Sequence, residues 1–232
     1  MMANACASTE ASVGAVISTL YSHGLDTAAV GPGLYDELAM YTPQPKHVTQ
    51  SEHLAKALDE FRVFRACARR PQSLDPESLN ELMMDIHTRC GVGSTRIRKT
   101  TVQIATDPRN TVTVFPRASE IEFVLSDLFG FIARNIVTRN ALCAAVGYVG
   151  IVHAHPFSDG NGRTARVFYN VLRSYSGSSH FLPIRFLGAM TKGALTVKQR
   201  RAYLTGEWSS IFEFFRDATV LSDNRQRVES AP

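Results

Sequence analysis

The chain has no lysine or arginine before Lys46. Without a cationic start to an apolar stretch, a secretory leader of the ordinary kind is not expected. It also lacks any run of about 18 consecutive apolar residues, so a membrane-spanning helix is not expected either. Cysteine is sparse: Cys6, Cys67, Cys90 and Cys143 stand far apart, with no CxxC pair and no zinc-finger spacing. That scatter predicts free thiols in a reducing compartment rather than a disulfide framework. Acid is missing from one long stretch. Between Gly160 and Gly206 there are eight bases (Arg163, Arg166, Arg173, Arg185, Lys192, Lys198, Arg200, Arg201) and no Asp or Glu, whereas residues 1–60 carry seven acids and two bases. Such a segment suits an anionic partner, or serves as a basic surface that balances the acidic N-terminal part.

What is present is a core. With 232 residues, 44% of them hydrophobic and 20% charged, the chain is sized for one domain plus an appendage and is too apolar for a disordered polymer. Residues 1–50 read as a partly ordered N-terminal extension with a short helix over Val16–Tyr21, residues 51–220 as the domain, and 221–232 as a tail. Ser51 reads as the N-cap of a helix through Arg70, with Leu54, Ala57, Leu58, Phe61 and Phe64 at helical spacing. Asp75-Pro76 starts a second helix, with Asp as cap and Pro at the first position. Its apolar face is Leu79, Leu82, Met83, Ile86 and His87. A β-hairpin is predicted over 100–115, where Thr100–Ala105 and Thr111–Phe115 alternate around the turn residues 106–110. Helix resumes after Pro116 with Ile121, Val124, Leu125, Leu128, Phe129 and Ile132 on one face. The stretch Ala141–Val152 is apolar all round and should be buried. Trp208, Ile211, Phe212, Phe214 and Phe215 read as the core face of the last helix. The class is mainly α with one hairpin.

The chemistry concentrates in His155-Pro156-Phe157-Ser158-Asp159-Gly160-Asn161-Gly162-Arg163-Thr164-Ala165-Arg166. Pro156 disfavours the helical region for His155, so the buried helix should stop there and present the imidazole at a loop. Two glycines flanking Asn161 allow close backbone approach, and a helix follows whose first turn offers unpaired N–H donors. Arg163 and Arg166 share a face in that turn, where cations oppose the helix dipole at a cost of about 0.3–1 kcal/mol each. An unfavourable choice made twice points to a bound anion. With Asp159 in the same loop, the economical ligand is a magnesium-chelated polyphosphate, with His155 placed as a base beside it. Gly160–Ala165 also satisfies the loose dinucleotide pattern GxGxxA, but no strand precedes it and no acid follows until Glu207. A metal cluster on His153, His155 and Asp159 lacks a nearby third nitrogen or sulfur ligand. His153 reads as a buried, hydrogen-bonded histidine.

The same run matches HxFx(D/E)GNGRxxR at every defined position, and the chain therefore resembles the Fic family over roughly residues 50–220. The resemblance implies a Fic-type helical bundle with the hairpin as its flap. It also implies a protein adenylyltransferase that moves AMP from ATP to a Ser, Thr or Tyr hydroxyl of a target protein. Carried over residue by residue, His155 is the catalytic base and Asp159 the magnesium ligand. Gly160, Asn161 and Gly162 hold the α- and β-phosphates, while Arg163 and Arg166 grip the outer phosphates. Phosphorylating members have Lys where this chain has Gly162, which favours nucleotidyl transfer. The paired tyrosines that often line the adenosine reduce here to Tyr203, so UMP transfer stays an alternative, as does a non-catalytic binding scaffold.

Many family members also carry an inhibitory (S/T)xxxE(G/N) helix whose Glu pairs with the second motif arginine. None of the eleven glutamates here precedes Gly or Asn, so no internal brake is expected and the chain alone should be active. Restraint would then come from a small antitoxin-like partner supplying a glutamate to Arg166, or from export of the protein to act in another cell's cytoplasm. Otherwise a cytoplasmic location is expected. The target is expected to dock on the hairpin by strand addition, with no nucleic-acid or membrane partner.

Overall fold

A computed structural model describes residues 50–68, 73–91, 93–105, 112–175, 181–190 and 194–229. Helix α1 spans Gln50–Cys67 and α2 Pro76–Arg89. Strands β1 (Gln103–Ala105) and β2 (Val112–Val114) pair antiparallel, with Gln103 opposite Val114 and Ala105 opposite Val112. After a 3-10 turn at Ala118–Glu120 come α3 (Ile121–Asn135), α4 (Asn140–Ala154) and α5 (Asn161–Ser174), then α6 (Ile184–Met190), α7 (Ala194–Thr205) and α8 (Ser209–Glu229). The expected helix over Val16–Tyr21 and the turn residues 106–110 lie outside the described residues.

The local signals explain these elements. Asp75 caps α2 in extended conformation and accepts from the Ser78 N–H, with Pro76 in the first turn. Helix α1 is described from Gln50 to Cys67, so Ser51, the expected cap, is already helical, and the expected end at Arg70 lies outside the described residues. Its buried stripe is Ala57, Glu60, Phe64 and Cys67, whereas Leu58, expected on that face, is 48% exposed. Helix α8 continues to Glu229, through the start of the expected tail at 221.

The core forms around α4, which packs on α5 and on α3. All six residues expected on the apolar face of α3 are buried, and α4 is buried from Cys143 to Val149. Two α4 glycines allow the close approach. A Cβ at Gly150 would lie 2.5 Å from Leu128 Cδ1, and one at Gly147 would lie 3.0 Å from Phe168 and Leu172 side-chain atoms. Trp208, Ile211 and Phe215 are buried as expected, with Phe212 and Phe214 partly so. Among the described residues no helix is long and apolar enough to cross a membrane. Cys67, Cys90 and Cys143 are free and buried. Burial pushes their thiols up to about 12, 11 and 12, respectively, which leaves them unreactive.

Candidate active site

The loop between α4 and α5 is held by its own side chains. His155 ends α4 in the left-handed conformation with φ 46°, and the proline after it disfavours continuing the helix. Gly160 caps α5 with φ 81°, a conformation glycine adopts without strain. Asn161 is buried. Its Oδ1 accepts from the Phe157 N–H at 2.8 Å and its Nδ2 donates to the Phe157 carbonyl at 2.7 Å. Both ends of its amide are thus used inside the loop and shape the cradle, while its backbone stands at the start of α5. Phe157 is fully buried and stacks on His87 at 3.6 Å with the rings parallel to 1°. His87 in turn meets the Ser94 carbonyl through Nε2 at 3.0 Å and the Thr164 hydroxyl through Nδ1 at 3.1 Å. One buried histidine thus pins both ends of the motif loop.

His155 is half-buried, and its ring stacks on Phe115 at 3.9 Å. Burial lowers its pKa below the ordinary 6.5; the Val152 carbonyl and Asp159 favour the charged form, and Arg98 disfavours it. Nδ1 is buried, with no partner in hydrogen-bond geometry among the described residues; a neutral ring that carries its proton there leaves Nε2 to accept one. Asp159 is exposed, and its Oδ1 accepts from the Gly160 N–H at 2.6 Å. Among the described residues no group of three His, Cys, Asp or Glu side chains forms a metal site by itself. A single exposed carboxylate does fit magnesium, which keeps several waters and shares its remaining positions with substrate phosphates.

The two motif arginines part company. Arg163 donates through Nη1 to the Cys90 carbonyl at 2.9 Å, capping the C-terminus of α2. Its opposition to the α5 dipole is offset by a favourable position at another helix end. Arg166 is different: its Nη2 and Nε donate to the Glu60 carboxylate at 2.6 and 3.0 Å, with Arg166 13% and Glu60 1% exposed. Burial opposes the charge on Arg166, but the Glu60 carboxylate beside it holds its pKa above the ordinary value. The anion expected at this turn is present, and it is a side chain of α1. The absence of an (S/T)xxxE(G/N) run pointed to no internal brake, yet Glu60 of this same chain places a carboxylate on Arg166. Arg185 of α6 adds a third cation: its pKa is lowered by burial, then by Arg166, and raised by Glu60, and its Nε is buried with no hydrogen-bond partner among the described residues. Asn170 braces the approach to α6 by pairing with the Leu182 backbone through both ends of its amide.

His153 lies one helical step from the site and faces away, edge-on to Trp208. Burial pushes its pKa from 6.5 down to about 4. The unfolded chain takes up this proton first, so the stabilisation is full above about pH 6.5 and is lost as pH falls through 4. His87 and His155 shift in the same direction. The melting temperature is expected to drop across that window, and less steeply in His153→Gln. An equal slope in thermal melts of the two proteins would contradict the assignment.

Residues 74–172 match the model of the Fic/DOC family. A search of curated proteins gives no match. The fold resembles a Fic family protein from Desulfovibrio desulfuricans G20, at 16% identity and a TM-score of 0.60, covering 96% of this chain and 74% of that one. It also resembles residues 134–508 of Fic-1 from C. elegans, at 17% identity and a TM-score of 0.56, covering 95% and 72%. A third is BepC, a VirB-translocated effector of Bartonella tribocorum solved with AMPPNP, at 20% identity and a TM-score of 0.50, covering 72% and 86%. At these identities the structural likeness speaks for the fold.

Proposed function

Starting from a chain whose residues 74–172 form a Fic/DOC domain, a family whose members commonly transfer nucleoside monophosphates to proteins, we propose that it is a protein adenylyltransferase restrained by its own Glu60. The observation that carries this reading is an anion-binding guanidinium, Arg166, held by a carboxylate, on the helix that follows a half-buried neutral imidazole. In the reaction, a Ser, Thr or Tyr hydroxyl oxygen of the target attacks the α-phosphorus of ATP and pyrophosphate leaves. The hydroxyl proton passes to Nε2 of His155, which is neutral at physiological pH. The backbone N–H groups at the start of α5, around Gly160, Asn161 and Gly162, and the Arg166 guanidinium bind the phosphates. Magnesium held by Asp159 would supply neutralising charge on those phosphates. The target lies along an edge of the β1–β2 ribbon, paired through main-chain hydrogen bonds.

Glu60 and the terminal phosphate compete for one guanidinium, so nucleotide binds in a transfer-ready pose only when α1 gives up that contact. Intact-mass and peptide mass spectrometry of Glu60→Ala protein incubated with magnesium and either ATP or UTP tests the reading. The expected result is a single AMP adduct on a hydroxyl side chain. A UMP adduct would change the nucleotide, a bare phosphate would change the reaction, and no adduct on the chain or on lysate proteins would favour a binding scaffold.

A further inference from the structure

Arg98 stands outside the motif run and touches none of the residues assigned to phosphate, yet it is 5% exposed and surrounded by backbone carbonyls. Its Nε donates to the His155 carbonyl at 2.7 Å, and its Nη2 reaches the Ala154 carbonyl at 3.5 Å. Its Nη1 donates to the Thr100 carbonyl at 2.6 Å, and Nη2 also donates to the Pro116 carbonyl. The Arg98 backbone N–H meets the Pro156 carbonyl at 2.8 Å. No carboxylate pairs with it among the described residues, and burial lowers its pKa. Leaving a guanidinium so buried is costly unless its donors are filled, and here four carbonyls fill them.

Those carbonyls belong to three separate places. Ala154 and His155 end α4, where the helix dipole favours a cation. Thr100 lies three residues before β1 and Pro116 two residues after β2. Next to Pro116, Phe115 carries the ring that stacks on the His155 imidazole. One planar group therefore ties both roots of the ribbon to the backbone of His155, a residue in a left-handed conformation that needs support. We propose that Arg98 is a positioning residue, whose guanidinium locks the His155 backbone to both roots of the ribbon so that target docking and presentation of the imidazole are set together. The proposal rests on the reading of His155 as base and the ribbon as docking edge.

Lysine keeps the charge but is a single point donor on a flexible stem, and it has no fork to span carbonyls in several directions. Arg98→Lys is therefore the informative variant, made in the Glu60→Ala chain for rate measurements and in the wild-type chain for NMR. Two readouts are taken. The first is kcat for transfer at saturating magnesium-ATP, alongside the nucleotide Kd. The second, independent of activity, is the chemical shift of the His155 ring protons, which the stacked Phe115 ring displaces.

Arg98→Lys is expected to lose about tenfold or more in kcat, because misplacing a reacting group by a fraction of an ångström is enough to do so. The magnesium-ATP Kd should stay at its parent value, and the His155 ring protons should move toward their unstacked positions. Unchanged kcat and unchanged ring shifts would overturn the proposal. So would a variant that fails to fold or loses nucleotide affinity in step with rate, since Arg98 would then hold the scaffold and not the base. If the parent chain transfers nothing, the reading of the function fails instead, and the ring shifts alone judge Arg98.

Discussion

Replacing Glu60 by Ala is expected to strengthen productive magnesium-ATP binding, and the transfer that follows, by roughly 10- to 150-fold, since hydrogen bonds between charged groups are worth about 1.5–3 kcal/mol. The carboxylate accepts from two Arg166 donors, Nε and Nη2, at a position that is 1% exposed. Its removal frees the guanidinium for phosphate. It also leaves a buried cation without a partner, a change that costs as much as about 3–5 kcal/mol in other proteins. The free protein should therefore melt lower than the wild type, and magnesium-ATP should recover more of that loss than it adds to the wild type. Glu60→Gln keeps the shape and loses the charge, and should fall between the two. A Glu60→Ala protein with unaltered nucleotide affinity would mean that the ion pair is a structural fastening and no brake.

The second large effect is at His155. Loss of the base is expected to reduce transfer by at least about 10²-fold. Asn is a better replacement than Ala, because the residue stands at φ 46° and Asn tolerates that region. Nucleotide affinity and melting temperature should change little, because the ring is half-buried and packs chiefly on Phe115. Since its pKa is shifted below 6.5, kcat/KM should be flat through neutral pH and fall only on the acid side. Transfer at the wild-type rate by His155→Asn would remove it from the mechanism.

The motif loop was readable from sequence because its signals are local. Pro156 ends the helix, Gly160 allows the turn, and Asp75-Pro76 starts α2 where expected. Helix faces with uniform apolar residues, such as that of α3, were equally legible. What escaped were contacts between segments distant in the chain. Glu60 and Arg166 are 106 positions apart, and Arg98 and His155 are 57 apart. No pattern of spacing announces such pairs. A signal for Glu60 did exist: it stands in the stripe Ala57, Glu60, Phe64 and Cys67, so a carboxylate was facing the core and needed a cation there. Glu60 falls outside the (S/T)xxxE(G/N) pattern because Lys56 stands four positions before it and Phe61 follows it. Nor does any spacing announce that the Asn161 amide is spent on the Phe157 backbone.

The most direct measurement follows α-labelled ATP onto protein for three chains side by side: wild type, Glu60→Ala, and Glu60→Ala with His155→Asn. The account predicts faint labelling of the wild type, strong labelling after loss of Glu60, and none once His155 is also replaced. Equal labelling of the first two chains would contradict the brake, and persistent labelling of the third would contradict the chemistry assigned to this loop.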